Sequence, residues 1–227
     1  AKRIVEKAPE GMTRVFFCNG GADSNENAIK MARLATGKGK VLSMYRSYHG
    51  ATITAGNVSG DGRRFSAEIG GNAPGVIHFF GPFPYREEIN FASEADETKY
   101  YLQMLEKTII AEGHDKIAAI ILETVVGANG VIIYPEGYLA GVRALCDKYG
   151  ILMICDEVMA GFGRTGEWFA IQNWGVSPDM ITFAKGVNSG YVQLGGVVVS
   201  KKIAEFFDDH LLSCGLTYSG HPLACAA

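Results

Sequence analysis

The chain has 227 residues, 48% hydrophobic and 20% charged, enough apolar content to bury the core of one large domain or two small ones. A net charge of −3 gives no basic footprint for nucleic acid, and no apolar run approaches the length of a membrane span. The five cysteines, Cys18, Cys146, Cys155, Cys214 and Cys225, have neither CxxC nor Cys/His ligand spacing, so no metal is expected, and their usage suits a reducing compartment, the cytoplasm.

Residues 1–13 read as a helix end and a turn broken at Pro9-Glu10-Gly11. Residues 15–18 read as a short buried strand. Asn19-Gly20-Gly21-Ala22-Asp23-Ser24-Asn25-Glu26 follows, then Ala28, Ile29, Met31, Ala32 and Ala35 at helical spacing. Asp23 is expected to cap that helix, with Glu26 completing a box-like start. Two glycines before a helix leave backbone N–H groups free to face an anion, or simply make a tight strand-to-helix turn. Neither a Walker loop nor a GxGxxG is present.

Residues 40–45 form the next expected strand, running into Arg46-Ser47-Tyr48-His49-Gly50 and a small-residue helix from about Ala51. Tyr48 is then either a rim aromatic or a ring stacked on a flat cofactor, and His49 a hydrogen-bonded structural residue or a base. Residues 56–74 are rich in glycine and charge and are expected to be an exposed loop. Residues 75–80 read as a strand, 81–85 as a rigid connector, and 94–111 as a helix with Tyr101, Leu102, Leu105 and Ile109 inward. A fully apolar strand, 117–122, ends at Glu123; a helix over 137–149 turns Leu139, Val142, Leu145 and Cys146 to one face.

Residues 151–155 are an apolar run ending in Asp156-Glu157, followed by the glycine-rich Val158-Met159-Ala160-Gly161-Phe162-Gly163-Arg164-Thr165-Gly166. Residues 180–183 form another strand and deliver Ala184-Lys185-Gly186. A strand over 197–200, a helix over 201–207 and a final loop entering a helix complete the chain. Seven strand-like runs alternate with helices, which predicts an α/β/α sandwich: a mainly parallel seven-stranded sheet with helices on both faces. An acid at the carboxyl end of such a strand points into the crevice where open α/β sheets bind ligands. Gly21-Ala22, Tyr48, Glu123, Asp156 and Lys185 all fall at strand ends. They supply an anion cradle, a flat stacking surface, a counter-ion for a protonated ring nitrogen and an amine nucleophile, the set that pyridoxal 5′-phosphate needs.

Five motifs in order resemble the class III (ω-) aminotransferases of the fold-type I pyridoxal-phosphate enzymes. They are Asn19 to Lys30 (phosphate loop and helix), Tyr48-His49-Gly50 (ring stacking), Asp156-Glu157-Val158 with Gly161 to Gly166, Ala184-Lys185-Gly186, and Thr217-Tyr218-Ser219-Gly220-His221-Pro222. The resemblance implies a pyridoxal-phosphate-binding large domain over 1–227, without the N-terminal segment and C-terminal small domain of the family. It also implies site roles. Lys185, expected to be buried, holds the cofactor as a Schiff base and moves the proton; Asp156 pairs with the pyridine nitrogen; Val158 and Tyr48 pack the two ring faces. The backbone at Gly21 and Ala22 binds the phosphate, Glu123 supports the site, and Thr217 reaches the phosphate of a neighbouring subunit in a homodimer. Arg164 is open between a loop brace and a substrate contact.

The chain departs from the family pattern at Gly20, where Ser is usual, at Asp23-Ser24, where Glu-Ala is usual, and at Val192-Gln193, which replaces a common Pro. The runs 40–50 and 75–82 look most like taurine–pyruvate-type members. The implied partners are therefore a small amino donor, taurine or a similar ω-amine, and a keto acid such as pyruvate. An aminomutase or decarboxylase of the same fold, or a silent cofactor- or nucleotide-binding fragment, is the alternative.

Overall fold

Apolar runs four to seven residues long dominate the strands because those strands are covered on both faces. In the computed structural model, which describes residues 1–71 and 73–227, the elements in chain order are α1 Lys2–Val5, β1 Met12–Cys18, α2 Gly21–Thr36, β2 Lys40–Met44, α3 Ile53–Val58, α4 Arg64–Ile69, β3 Val76–Phe79, α5 Glu94–Glu112, β4 Ile117–Glu123, α6 Tyr138–Tyr149, β5 Leu152–Asp156, β6 Met180–Phe183, β7 Gly195–Ser200, α7 Lys201–Asp209 and α8 Pro222–Ala226. One seven-stranded sheet runs β1-β7-β6-β5-β4-β2-β3. Strands β3, β2, β4, β5 and β6 are parallel, and β7 pairs antiparallel with both β6 and β1. This is the α/β sandwich expected from the alternation of elements.

Strand alternation divides the core into two layers. Met153 and Cys155 of β5 join Tyr101, Leu105, Leu139 and Val142 from α5 and α6. Leu152 and Ile154 face the opposite layer, with Ala28, Ile29 and Ala32 of α2 and Ile203 of α7. All seven residues of β4 are buried, and each large aliphatic side chain so buried contributes roughly 1.5–3 kcal/mol. Cys18 and Cys146 are buried thiols; burial pushes the first up to about 11 and the second to about 12, so neither is a nucleophile at neutral pH.

Two expectations fail. Asp23 does not cap α2; the N-cap is Gly20, in extended conformation, with no side-chain bond. Glu26 instead caps the next helix, its Oε1 accepting from the Thr52 hydroxyl at 2.7 Å and from the N–H groups of Thr54 at 2.7 Å and Ala55 at 3.0 Å. The first turn of α2 looks into the crevice, and a capping side chain would fill the space in front of it. Residues 56–74 are not a continuous loop, since they include the end of α3 and all of α4; Asn72 within that span lies outside the described residues. One of the glycines that suggested a loop, Gly60, serves a close approach instead: a Cβ there would meet the Met44 carbonyl oxygen at 2.1 Å. Short helices flanking such a glycine are fixed by tertiary contacts rather than by propensity.

Candidate active site

Register alone assembles the floor of the site. Glu123 pairs with Asp156 between β4 and β5, and Asp156 pairs with Thr182 between β5 and β6. The three polar side chains therefore stand in one row at the carboxyl ends of adjacent strands, on the face that α2 covers. Asp156 is 3% exposed, and a carboxylate so buried requires partners. Its Oδ2 accepts from Asn25 Nδ2 at 2.7 Å and meets His49 Nδ1 at 2.8 Å, while Oδ1 accepts from the Val158 N–H at 3.0 Å. Asn25 is itself fixed: its Oδ1 accepts from the Thr182 hydroxyl at 2.7 Å, and its amide also donates to the His49 carbonyl at 2.7 Å.

His49 is thus a hydrogen-bonded partner of the acid. Its own N–H donates to Ser59 Oγ at 2.9 Å. Its Nε2 is buried without a partner among the described residues.

Glu123 holds two loops. Its Oε1 accepts from the Tyr48 N–H at 2.9 Å and its Oε2 from the Gly127 N–H at 2.8 Å. Burial pushes its carboxyl above the usual range and neighbouring Asp156 adds to this, against the lowering effect of His49 and of the two N–H donors.

The adjacent acids part company because successive strand residues face opposite sides. Asp156 looks into the crevice. Glu157 looks into the other layer, fully buried, and accepts from the N–H groups of Ala170 and Ile171, each at 2.8 Å. Its job is to brace the segment after the glycine-rich signature. Glu157→Ala is expected to cost about 2 kcal/mol, because two buried N–H donors lose their acceptor. Urea unfolding measures it, and an unchanged midpoint would remove that role.

The signature loop shapes the seat of Lys185. Phe162 has φ +58 and Gly163 φ +88. A Cβ on Gly186 would meet the Phe162 Cβ at 2.9 Å, so the turn bearing the lysine packs directly on this loop. Lys185 opens a 3-10 turn, Lys185–Val187, with φ +43, a left-handed conformation that costs a lysine about 1–2 kcal/mol. Its side chain is exposed, not buried as expected, because it stands at the open mouth of the crevice rather than on the floor. Arg164 Nε donates to the Met159 carbonyl at 2.6 Å, which makes it a loop brace.

The walls come from α2 and from the β2–α3 connection. A Cβ on Gly21 would meet Val158 Cγ1 at 2.8 Å, and one on Gly50 would meet the Ala22 Cβ at 2.6 Å. Both glycines are needed for the wall to close up on the floor. Gly21, Ala22, Tyr48, His49, Glu123, Asp156, Val158 and Lys185 all line one cleft of about 460 Å³. Thr217 does not line it; it lies exposed near the end of the chain. Asn25 and the ring of His49 are the partners of Asp156 that sequence reading missed. Both sit inside quoted motifs, but no spacing rule ties either to an acid more than a hundred positions away.

The cleft fits pyridoxal 5′-phosphate by the chemistry of its groups: uncapped N–H groups at the start of a helix, a buried carboxyl fixed by three partners, an aromatic wall and a primary amine at the mouth. Comparison with known proteins points the same way. A family model described as aminotransferase class-III matches residues 1–227. A putrescine–pyruvate aminotransferase of Pseudomonas aeruginosa is 40% identical over 235 residues, covering 100% of this chain and 51% of that one. A taurine–pyruvate aminotransferase of Bilophila wadsworthia is 37% identical, covering 91% of this chain and 46% of the relative. Among solved structures, the taurine:2-oxoglutarate aminotransferase of Bifidobacterium kashiwanohense, in complex with PLP and glutamate, is similar with a TM-score of 0.97 and 63% identity, over 100% of this chain and 51% of that chain. The chain spans about half the length of the curated relatives it matches.

Proposed function

The chain belongs to the class III aminotransferases, and we propose that it is the cofactor-holding part of an enzyme that moves an amino group from a small ω-amino donor, taurine or a near relative, to a keto acid. The observation that carries this reading is the single cleft lined by Asp156, Lys185, Tyr48 and the start of α2. Pyridoxal 5′-phosphate, when bound, supplies an aldehyde that captures amines and a ring that draws electrons from the carbon bearing them.

The residues divide the remaining work. The backbone at Gly21 and Ala22 receives the phosphate, where the N–H groups and the helix dipole both favour an anion. Tyr48 and Val158 flank the ring. Asp156, an acceptor held by Asn25, His49 and the Val158 N–H, would pair with the pyridine nitrogen and favour its protonated form. Lys185 Nζ, a primary amine lining the same cleft, would hold the cofactor at its aldehyde and would take and return the proton of the donor's amine-bearing carbon. Glu123 fixes the backbone of Tyr48 from below. Thr217, exposed and away from the cleft of its own chain, reaches the phosphate of the second copy in a homodimer. The five free thiols suit a cytoplasmic setting.

Taurine is favoured as donor by the likeness of residues 40–50 and 75–82 to taurine–pyruvate-type enzymes and by the 63% identical relative named for taurine. The acceptor is pyruvate or 2-oxoglutarate, the two keto acids in the relatives' names. Full-length holoenzyme should be given taurine, β-alanine, 4-aminobutyrate and putrescine against each acceptor, with alanine or glutamate formation measured. Taurine is expected to give the highest kcat/KM. Taurine ranking last would end the donor assignment, and no net amino transfer with any pair would end the transaminase reading.

A further inference from the structure

Tyr48 makes a contact that the roles above do not use. The Arg63 guanidinium lies over its ring, 3.7 Å from the centroid, within the range at which a cation is attracted to an aromatic face. Arg63 stands just before α4 and is gripped by Asp61. Its Nε donates to Oδ2 at 2.9 Å and to Oδ1 at 3.1 Å, Nη2 also donates to Oδ2, and the backbone N–H donates to Oδ1 at 2.9 Å. Asp61 Oδ2 accepts in addition from Asn129 Nδ2 at 3.1 Å. Asn129 belongs to the connection after β4, whose Gly127 N–H is held by the same Glu123 carboxylate that accepts from the Tyr48 N–H. These contacts and the short backbone link from Gly127 to Asn129 join Tyr48, Arg63, Asp61, Asn129 and Glu123 in a circuit that returns to Tyr48.

A half-buried tyrosine at a cleft wall can swing about χ1 and χ2 unless something fixes its plane. The circuit fixes Tyr48 twice, at its backbone and on the ring face that Arg63 covers, and Arg63 is not among the residues lining the cleft. We propose that Arg63 is a positioning residue that holds the Tyr48 ring so that its opposite face meets the cofactor ring. The proposal rests on the cofactor reading above. Standing outside the cleft lining, Arg63 acts through Tyr48. A lysine can bring charge to the same face but cannot match the forked grip on Asp61, so it restores only part of the effect.

The test uses the full-length protein carrying 3-fluorotyrosine, with the Tyr48 resonance assigned from Tyr48→Phe. Arg63→Ala is expected to move that resonance in the cofactor-free protein and to leave its Tm unchanged. It is also expected to weaken binding of added pyridoxal 5′-phosphate about five-fold, the size of an exposed cation–π contact. Arg63→Lys should recover part of that loss, and in a Tyr48→Ala background Arg63→Ala should add nothing. A Tyr48 resonance that does not move overturns the proposal, as does an equal affinity loss with and without the Tyr48 ring. A wild-type protein that binds no pyridoxal 5′-phosphate would sink the cofactor reading instead, and the resonance, read without cofactor, would still decide the role of Arg63.

Discussion

Replacing Lys185 by alanine is expected to lower the transamination rate by at least about 10⁴-fold, the upper range for loss of a positioned proton carrier, and more if its amine also holds the cofactor covalently. The loss should fall on kcat, because the cleft floor, the aromatic wall and the helix start stay in place and cofactor can still enter. Lys185 is exposed and has φ +43, so the substitution opens no cavity and keeps the same backbone strain. Stability should stay within about 0.5 kcal/mol, as for other surface changes. Borohydride treatment followed by intact mass gives an independent readout: wild type retains the cofactor's mass on the chain and Lys185→Ala does not. A variant that still turned over and still fixed the cofactor would overturn the assignment of the amine.

Asp156→Asn should also be severe, and in two separable ways. The side chain keeps its shape, but all three of its neighbours, Asn25 Nδ2, His49 Nδ1 and the Val158 N–H, are positioned around a carboxylate. An amide must turn its NH2 toward at least one of them, which leaves a buried donor facing a donor and costs about 1–3 kcal/mol of stability. In the role proposed for Asp156, the lost anion would no longer favour a proton on the pyridine nitrogen, and removal of one preorganised electrostatic partner costs about 10²–10³ in kcat. Single-turnover rates on reconstituted protein measure the second effect and urea unfolding the first. A kcat within a few-fold of wild type would mean that Asp156 does not serve the cofactor nitrogen.

The strands were legible from the sequence because a parallel sheet buried on both faces leaves apolar runs bounded by glycine and acids, as in residues 117–123 and 151–156. The same rule located Glu123, Asp156 and Lys185, since each falls where such a run stops. Helix starts were less legible. Asp23 has the residue type and place of a cap yet leaves the first turn of α2 open, and Glu26 reaches across to a different helix. Local chemistry cannot distinguish those two outcomes; the position of α3 in space decides between them.

Residue order by itself determined the α/β class, the number of strands and the identity of the chemical groups at their ends, because periodicity and residue type are local properties of the chain. Only the tertiary structure decided that Asp156 would be held by Asn25 and His49, that Glu157 would turn away to brace the following loop, and that Arg63 would cover Tyr48. Those pairings depend on strand register, on the close approach of α2 to the sheet and on how the connections fold back over the strand ends, which bring together side chains that no short-range pattern connects.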